Sequence, residues 1–239
     1  MILSQLPPDF VESRDALHQI AFYALSPARY KAVGRMGLRA TPGGFGAPEF
    51  NGMMARVQGT TLIVESGENI ASQTVSTVRN AAQFFGVDYE REWFSDFRDP
   101  LPPVDPDQEL VVGDPGARVL AEWFGFGFDV LEKLRAQAVA SDDASEVQLW
   151  PEHFDPAIEM GDQDAGLRAS YGASPGDAGH PEPYVYVAAW GEIDRSNDYW
   201  NDRAFNGSSL GHAALLASDD PVATALDFLL QGYGILHTG

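Results

Sequence analysis

The feature that most restricts what this chain can fold into is a set of short β-compatible runs joined by connections too brief for a crossover. Between Lys31 and Ser66 the runs Val33–Thr41, Met53–Gln58 and Thr60–Ser66 are separated only by Pro42-Gly43-Gly44 and Gly59. Parallel neighbours need a connection of a dozen or more residues, whereas antiparallel strands close through a tight turn, so these runs predict antiparallel sheet. A second group follows at Glu146–Trp150, Pro156–Met160, Leu167–Tyr171 and Tyr184–Trp190, again with connections that fit antiparallel pairing.

Helical periodicity surrounds both groups. Phe10, Leu17, Ile20, Ala21 and Leu25 form an apolar stripe over Asp9–Leu25, which Pro27 is expected to end or kink. Ile70, Thr74, Val78, Ala81, Ala82 and Phe85 recur at helical spacing ahead of Gly86, predicting a helix over Ile70–Phe85. The strongest stripe, Leu120, Trp123, Phe124, Phe128, Leu131 and Leu134, places a helix over Ala117–Ala138. Gly125 and Gly127 fall inside it, which predicts close packing or a kink, with a cofactor groove as the sharper alternative. Asp220-Pro221 supplies an N-cap and first-turn pair for a last helix through Leu230, while Ser208–Leu216 reads as either strand or loop. Residues 88–116 are rich in Asp, Glu and Pro and read as a surface connection or hinge. The fold class that results is α+β, antiparallel sheet packed with several helices, in one domain over 1–239 with a subdivision open near 99–116. The order helix, strands, helix in each part would allow two similar halves.

Composition narrows the function classes. The 239 residues contain no cysteine, which removes disulfides, thiolate nucleophiles and Cys-ligated metals. No run is long and apolar enough for a membrane helix, and Met1–Phe10 lacks the features of a signal peptide, so the expected location is the cytoplasm. The formal charge is −20, with 17 acidic and 3 basic side chains falling in 139–239. Such a surface repels nucleic acid. The one basic concentration, Arg29, Lys31, Arg35 and Arg39, would share a face if the segment were extended.

The densest chemistry lies in Leu149-Trp150-Pro151-Glu152-His153-Phe154-Asp155, then Ser174-Pro175-Gly176-Asp177, then Pro181-Glu182-Pro183-Tyr184-Val185-Tyr186. These segments resemble an uncharacterised bacterial domain-of-unknown-function family in which a Trp-Pro-x-His-Phe-Asp strand, a Ser-Pro-Gly-Asp turn and a Pro-Glu-Pro-Tyr strand follow one another. The family often has a second histidine where Glu152 stands and a Ser-Gly-Arg run that Gly161 to Asp164 does not reproduce. The resemblance implies kinship of fold and carries no reaction.

Read as chemistry, His153, Asp155, His180 and Glu182 offer imidazole and carboxylate ligands suited to a divalent metal such as zinc, manganese or iron. On a strand His153 and Asp155 would share one face while Glu152 pointed to the other. The structural alternative packs His153, buried, against Trp150 with a carboxylate on its ring. Asp162 and Asp164 ahead of Gly166 are explained by turn chemistry, and the run Asp194, Asn197, Asp198, Asn201 and Asp202 by turn chemistry with cation binding as the alternative. Pro42-Gly43-Gly44-Phe45-Gly46 lacks the Lys-Ser or Lys-Thr of a phosphate loop, and no Gly-x-Ser-x-Gly elbow occurs. Three classes stay open: a noncatalytic small-ligand or protein-binding module using Trp150, His153, Asp155, Tyr184 and Tyr186, with Trp190; a metal-assisted hydrolase centred on His153 and Asp155; and a structural homo-oligomer.

Overall fold

A computed structural model describes residues 3–91 and 101–238. The chain divides into two compact units: Leu6–Glu122 with Leu149–Phe154, called the N-terminal unit below, and Met1–Gln5, Trp123–Gln148 and Asp155–Gly239, called the C-terminal unit. The chain is α+β, with two five-stranded antiparallel sheets, each in sequential strand order.

In the N-terminal unit the first helix does not stop at Pro27. α1 (Phe10–Ile20) passes into a π-helical turn (Ala21–Leu25) and then α2 (Ser26–Val33). A proline ring meets the carbonyl four residues earlier in a regular helix, and the wider winding just before Pro27 is where that conflict is absorbed. All five residues of the π turn are buried. Gly34, at φ +67°, caps α2, so the expected strand from Val33 is reduced to β1 (Arg39–Thr41). The sheet continues as β2 (Gly44–Gly46), β3 (Met53–Gln58), β4 (Thr61–Ser66) and β5 (Asn69–Thr74).

β5 replaces the first half of the helix expected over Ile70–Phe85. Ser66 pairs with Asn69 across a two-residue turn, and Ile70 is 71% exposed rather than packed. Only Val78–Phe84 forms helix α3, opened by Thr77, whose Oγ1 accepts from the Asn80 amide at 3.1 Å. The described part of the acidic, proline-rich connection also departs from a purely surface course. Leu101, Val104 and Leu110 pack on the buried cluster of Phe22, Tyr23 and Val78, and the Tyr23 hydroxyl donates to the carbonyls of Leu101 and Pro102. Residues 92–100 of that connection lie outside the described residues.

Helix α4 (Asp114–Arg135) runs through the division at Trp123. Beyond it come β6 (Gln148–Trp150), β7 (Asp155–Met160), β8 (Ala169–Ser174), β9 (Tyr184–Ala189) and β10 (Gly207–Gly211), in the order β10-β9-β8-β7-β6. The ambiguous segment resolves into β10 followed by α5 (His212–Leu216). In the last helix, α6 (Pro221–Thr238), Asp220 Oδ1 accepts from the amides of Val222 and Ala223 as the N-cap.

Strand alternation gives the C-terminal sheet two unlike faces. The row Ile158, Tyr171, Val187 and Ser208 is buried. α4 and α6 cover that face. Trp123 Nε1 donates to the Ala173 carbonyl at 3.1 Å, a Cβ built on Gly127 would stand 2.8 Å from Ala173 Cβ, and one built on Gly232 would stand 3.0 Å from Val187 Cγ2. Close packing therefore accounts for Gly127, whereas a Cβ on Gly125 would meet nothing within 4 Å. Among the described residues no helix is long and apolar enough to cross a membrane.

Candidate functional site

The opposite face of the C-terminal sheet carries polar and aromatic side chains. Register places Ala157, Gly172, Tyr186 and Ser209 in one row, with Asp155, Ser174 and Tyr184 on the same face by alternation. Gly172 is required here because the ring of Tyr186 lies over it, and a Cβ at that position would collide with Tyr186 Cζ. The ring reaches across β8, and its hydroxyl donates to Asp155 Oδ2 on β7 at 2.5 Å. Asp155 is 2% exposed.

A second carboxylate serves Tyr184. Its hydroxyl donates to Asp177 Oδ2 at 2.6 Å, while Asp177 Oδ1 accepts from the amides of Gly179 and His180. The turn Ser174-Pro175-Gly176-Asp177 is held by the Gly176 amide donating to Ser174 Oγ. Burial opposes ionisation of Asp177, but the Tyr184 hydroxyl and the two amides outweigh it and hold the carboxyl below its ordinary range. Burial, then the neighbouring Asp177, pushes the Tyr184 phenol up, and burial with Asp155 does the same for Tyr186.

The third carboxylate is Asp202, which is buried. Its Oδ2 accepts from Ser209 Oγ at 2.5 Å and faces His180 Nε2 at 2.9 Å. The Arg195 guanidinium donates to the Asp202 carbonyl at 2.6 Å. Four rings gather between these groups: His180 and Tyr184 at 4.5 Å between centroids, Tyr184 and Tyr186 at 5.9 Å, and Phe205 at 6.0 to 6.4 Å from His180, Tyr184 and Tyr186.

Of the residues singled out from sequence, Asp155, His180, Tyr184 and Tyr186 belong to this constellation. Glu182 is exposed, and its charge acts instead on His212, an imidazole that burial holds below its ordinary range. Trp150 and His153 fall in the N-terminal unit. His153 is exposed, not buried against Trp150. It stands in a turn rather than on a strand. The Phe154 amide donates to the Trp150 carbonyl at 2.7 Å, Phe154 adopts φ +55°, and the buried ring of Phe154 takes the inward place. Among the described residues no group of three or more His, Asp or Glu side chains is arranged to hold a metal ion. Trp190 is half exposed, with Arg168 5.3 Å above its ring. Asp162 caps its own turn through the amides of Asp164 and Ala165, and Asp194 does so through Ser196.

Sequence reasoning misses Asp177 and Phe205 as site residues, and it weighs Asp202 only as one member of an acidic, amide-rich run. Asp202 belongs to a run whose Asx residues do make turns, as the Ala204 amide on its Oδ1 shows. Nothing in that spacing marks its second oxygen as a partner of His180, 22 positions away.

No protein-family model, no curated protein and no solved structure matches this chain.

Proposed function

We propose that this chain is a noncatalytic binding module whose C-terminal sheet recognises a small organic cation, an ammonium or guanidinium group, on the partly exposed rings of His180, Tyr186 and Phe205, backed by the buried ring of Tyr184. The observation that carries the reading is that the polar atoms best suited to proton transfer are committed to one another. Tyr186 is bonded to Asp155, Tyr184 to Asp177, and His180 to Asp202. A general base must present a lone pair to substrate, and these groups present it to their neighbours. What they leave toward a ligand is the exposed part of the His180, Tyr186 and Phe205 rings, with the carboxylates of Asp155, Asp177 and Asp202 behind them, the combination that attracts cations. A formal charge of −20 concentrates cations near such a surface. The same charge supports a chain that does not take duplex nucleic acid as partner, and the location proposed with this reading is the cytoplasm.

The test is titration with tetramethylammonium against its neutral counterpart tert-butanol, followed through the tyrosine ring resonances. Saturable shifts confined to Tyr184 and Tyr186 with the cation, weakened in Phe205→Ala, are expected. Equal responses to both probes, or none, would overturn the reading.

A further inference from the structure

The N-terminal unit holds a cationic group with the opposite electrostatic problem. From residue 16 to residue 48 the chain contains no acidic side chain, yet it carries Arg29, Lys31, Arg35 and Arg39. The segment is not extended throughout: Arg29 and Lys31 stand on α2, where Arg29 is 8% exposed and Lys31 faces solvent. The loop after α2 is pinned over Arg29. Ser26 Oγ donates to the Met36 carbonyl at 2.5 Å, the Arg29 guanidinium donates to the Gly37 carbonyl, and Leu38 exchanges backbone hydrogen bonds with Leu149. Arg35 and Arg39, both exposed, lie on either side of that pinned stretch.

Arg56 finds a carboxylate in Glu65 and Arg79 finds one in Asp107. Arg29 has none among the described residues, and its enclosed Nε has no hydrogen-bond partner. Burial, then repulsion from Arg35 and Arg39, pushes its guanidinium below the ordinary range. A buried charge without a counter-charge is costly, and two further cations beside it raise that cost. An anion bound beside Arg29 between Arg35 and Arg39 would supply the missing counter-charge and offset the repulsion among the three.

We infer that Arg29, Arg35 and Arg39 form a binding site for a phosphate-bearing small molecule. A phosphate offers three terminal oxygens and up to two charges to three guanidinium groups, whereas a carboxylate offers two oxygens and one charge. The site is independent of the aromatic face of the C-terminal unit and stands or falls without it.

Thermal melting of the full chain with inorganic phosphate as probe, against acetate and chloride at matched ionic strength, tests the assignment. Phosphate should raise the Tm saturably, by about 5 °C or more at a hundredfold excess over its Kd. Arg35→Ala/Arg39→Ala changes two exposed side chains, so it should fold and lose at least tenfold in phosphate affinity. Arg29→Met should melt no lower than the parent without phosphate and show no response to it. Phosphate acting no more strongly than chloride or acetate, or acting equally on the double variant, would overturn the site. So would a duplex oligonucleotide binding through Arg35 and Arg39 more tightly than phosphate, which would make the partner a polymer.

Discussion

The ring of His18 lies 4.9 Å from that of Phe154 with only 5° between their planes, and its Nε2 donates to the Pro151 carbonyl at 2.8 Å. Helix α1 thereby holds the turn that follows β6 within the N-terminal unit. The carbonyl bond specifies the tautomer with its proton on Nε2. Burial lowers the imidazole from its usual 6.5 to about 4, the Pro151 bond opposes that shift, and repulsion from His153 and Arg14 adds to it.

A pH dependence follows. Between about pH 6.5 and pH 4 the unfolded chain binds a proton at His18 that the folded chain refuses, so stability is complete above that window and falls as pH falls through it. The loss is on the order of 3 kcal/mol once both values have been passed. Urea unfolding at a series of pH values should show this slope in the parent and a flatter one in His18→Phe, which keeps the stack on Phe154. An unchanged slope in the variant would assign the acid sensitivity to other groups.

His153 gives the complementary expectation. It is exposed, so His153→Ala should leave the Tm within about 1 °C of the parent, as for a surface substitution. A loss of several degrees would show that the turn places the ring inward.

The contrast between these two histidines shows where sequence reading stops. His153 stands among Trp, Pro, Phe and Asp and invites a strand, but Phe154 at φ +55° turns the chain and no periodicity announces that conformation. His18 lies inside a helix that periodicity places correctly, yet nothing local distinguishes it, because its partner at Pro151 is 133 positions away. Ile70 and Thr74 mislead for another reason. A spacing of four residues keeps two side chains together on a strand as well as on a helix, and the turn at Gly67 decides between them. Antiparallel pairing itself is legible, since connection length excludes the alternative. The site is half legible: alternation places Tyr184 and Tyr186 together on β9, but only the register across β8 and β7 brings Asp155 beneath Tyr186.

That register makes Gly172 and Tyr186 a coupled pair. Gly172→Ala drives a methyl group into the Tyr186 ring and should destabilise by about 1–3 kcal/mol, as overpacking does. Tyr186→Phe keeps the ring and removes the hydroxyl that serves the buried Asp155, with a cost of similar size. Combining Gly172→Ala with Tyr186→Ala should cost less than the sum of the single changes, because the smaller side chain leaves room for the methyl group. Chemical denaturation of the single and double variants measures the coupling, and strict additivity would mean that the ring does not lie over Gly172.

Helix α4 offers a comparison in which the same substitution should have opposite signs at two neighbouring glycines, because Gly125 and Gly127 differ in what surrounds them. A methyl group at Gly125 meets nothing within 4 Å, so Gly125→Ala should stabilise by about 0.4–1 kcal/mol through helix propensity and the restricted unfolded chain. At Gly127 the same gain is opposed by contact at 2.8 Å with Ala173 Cβ and 3.2 Å with Pro156 Cγ. Overpacking of that kind costs about 1–3 kcal/mol, so Gly127→Ala should be net destabilising. Each kcal/mol moves the Tm of a chain this size by about 2–4 °C, which separates the two variants clearly in one thermal scan. The double variant Gly127→Ala/Ala173→Gly should recover part of the loss, since it removes the methyl group that the new one meets. Should Gly127→Ala melt as high as Gly125→Ala, α4 would not pack against β7 and β8 through this glycine.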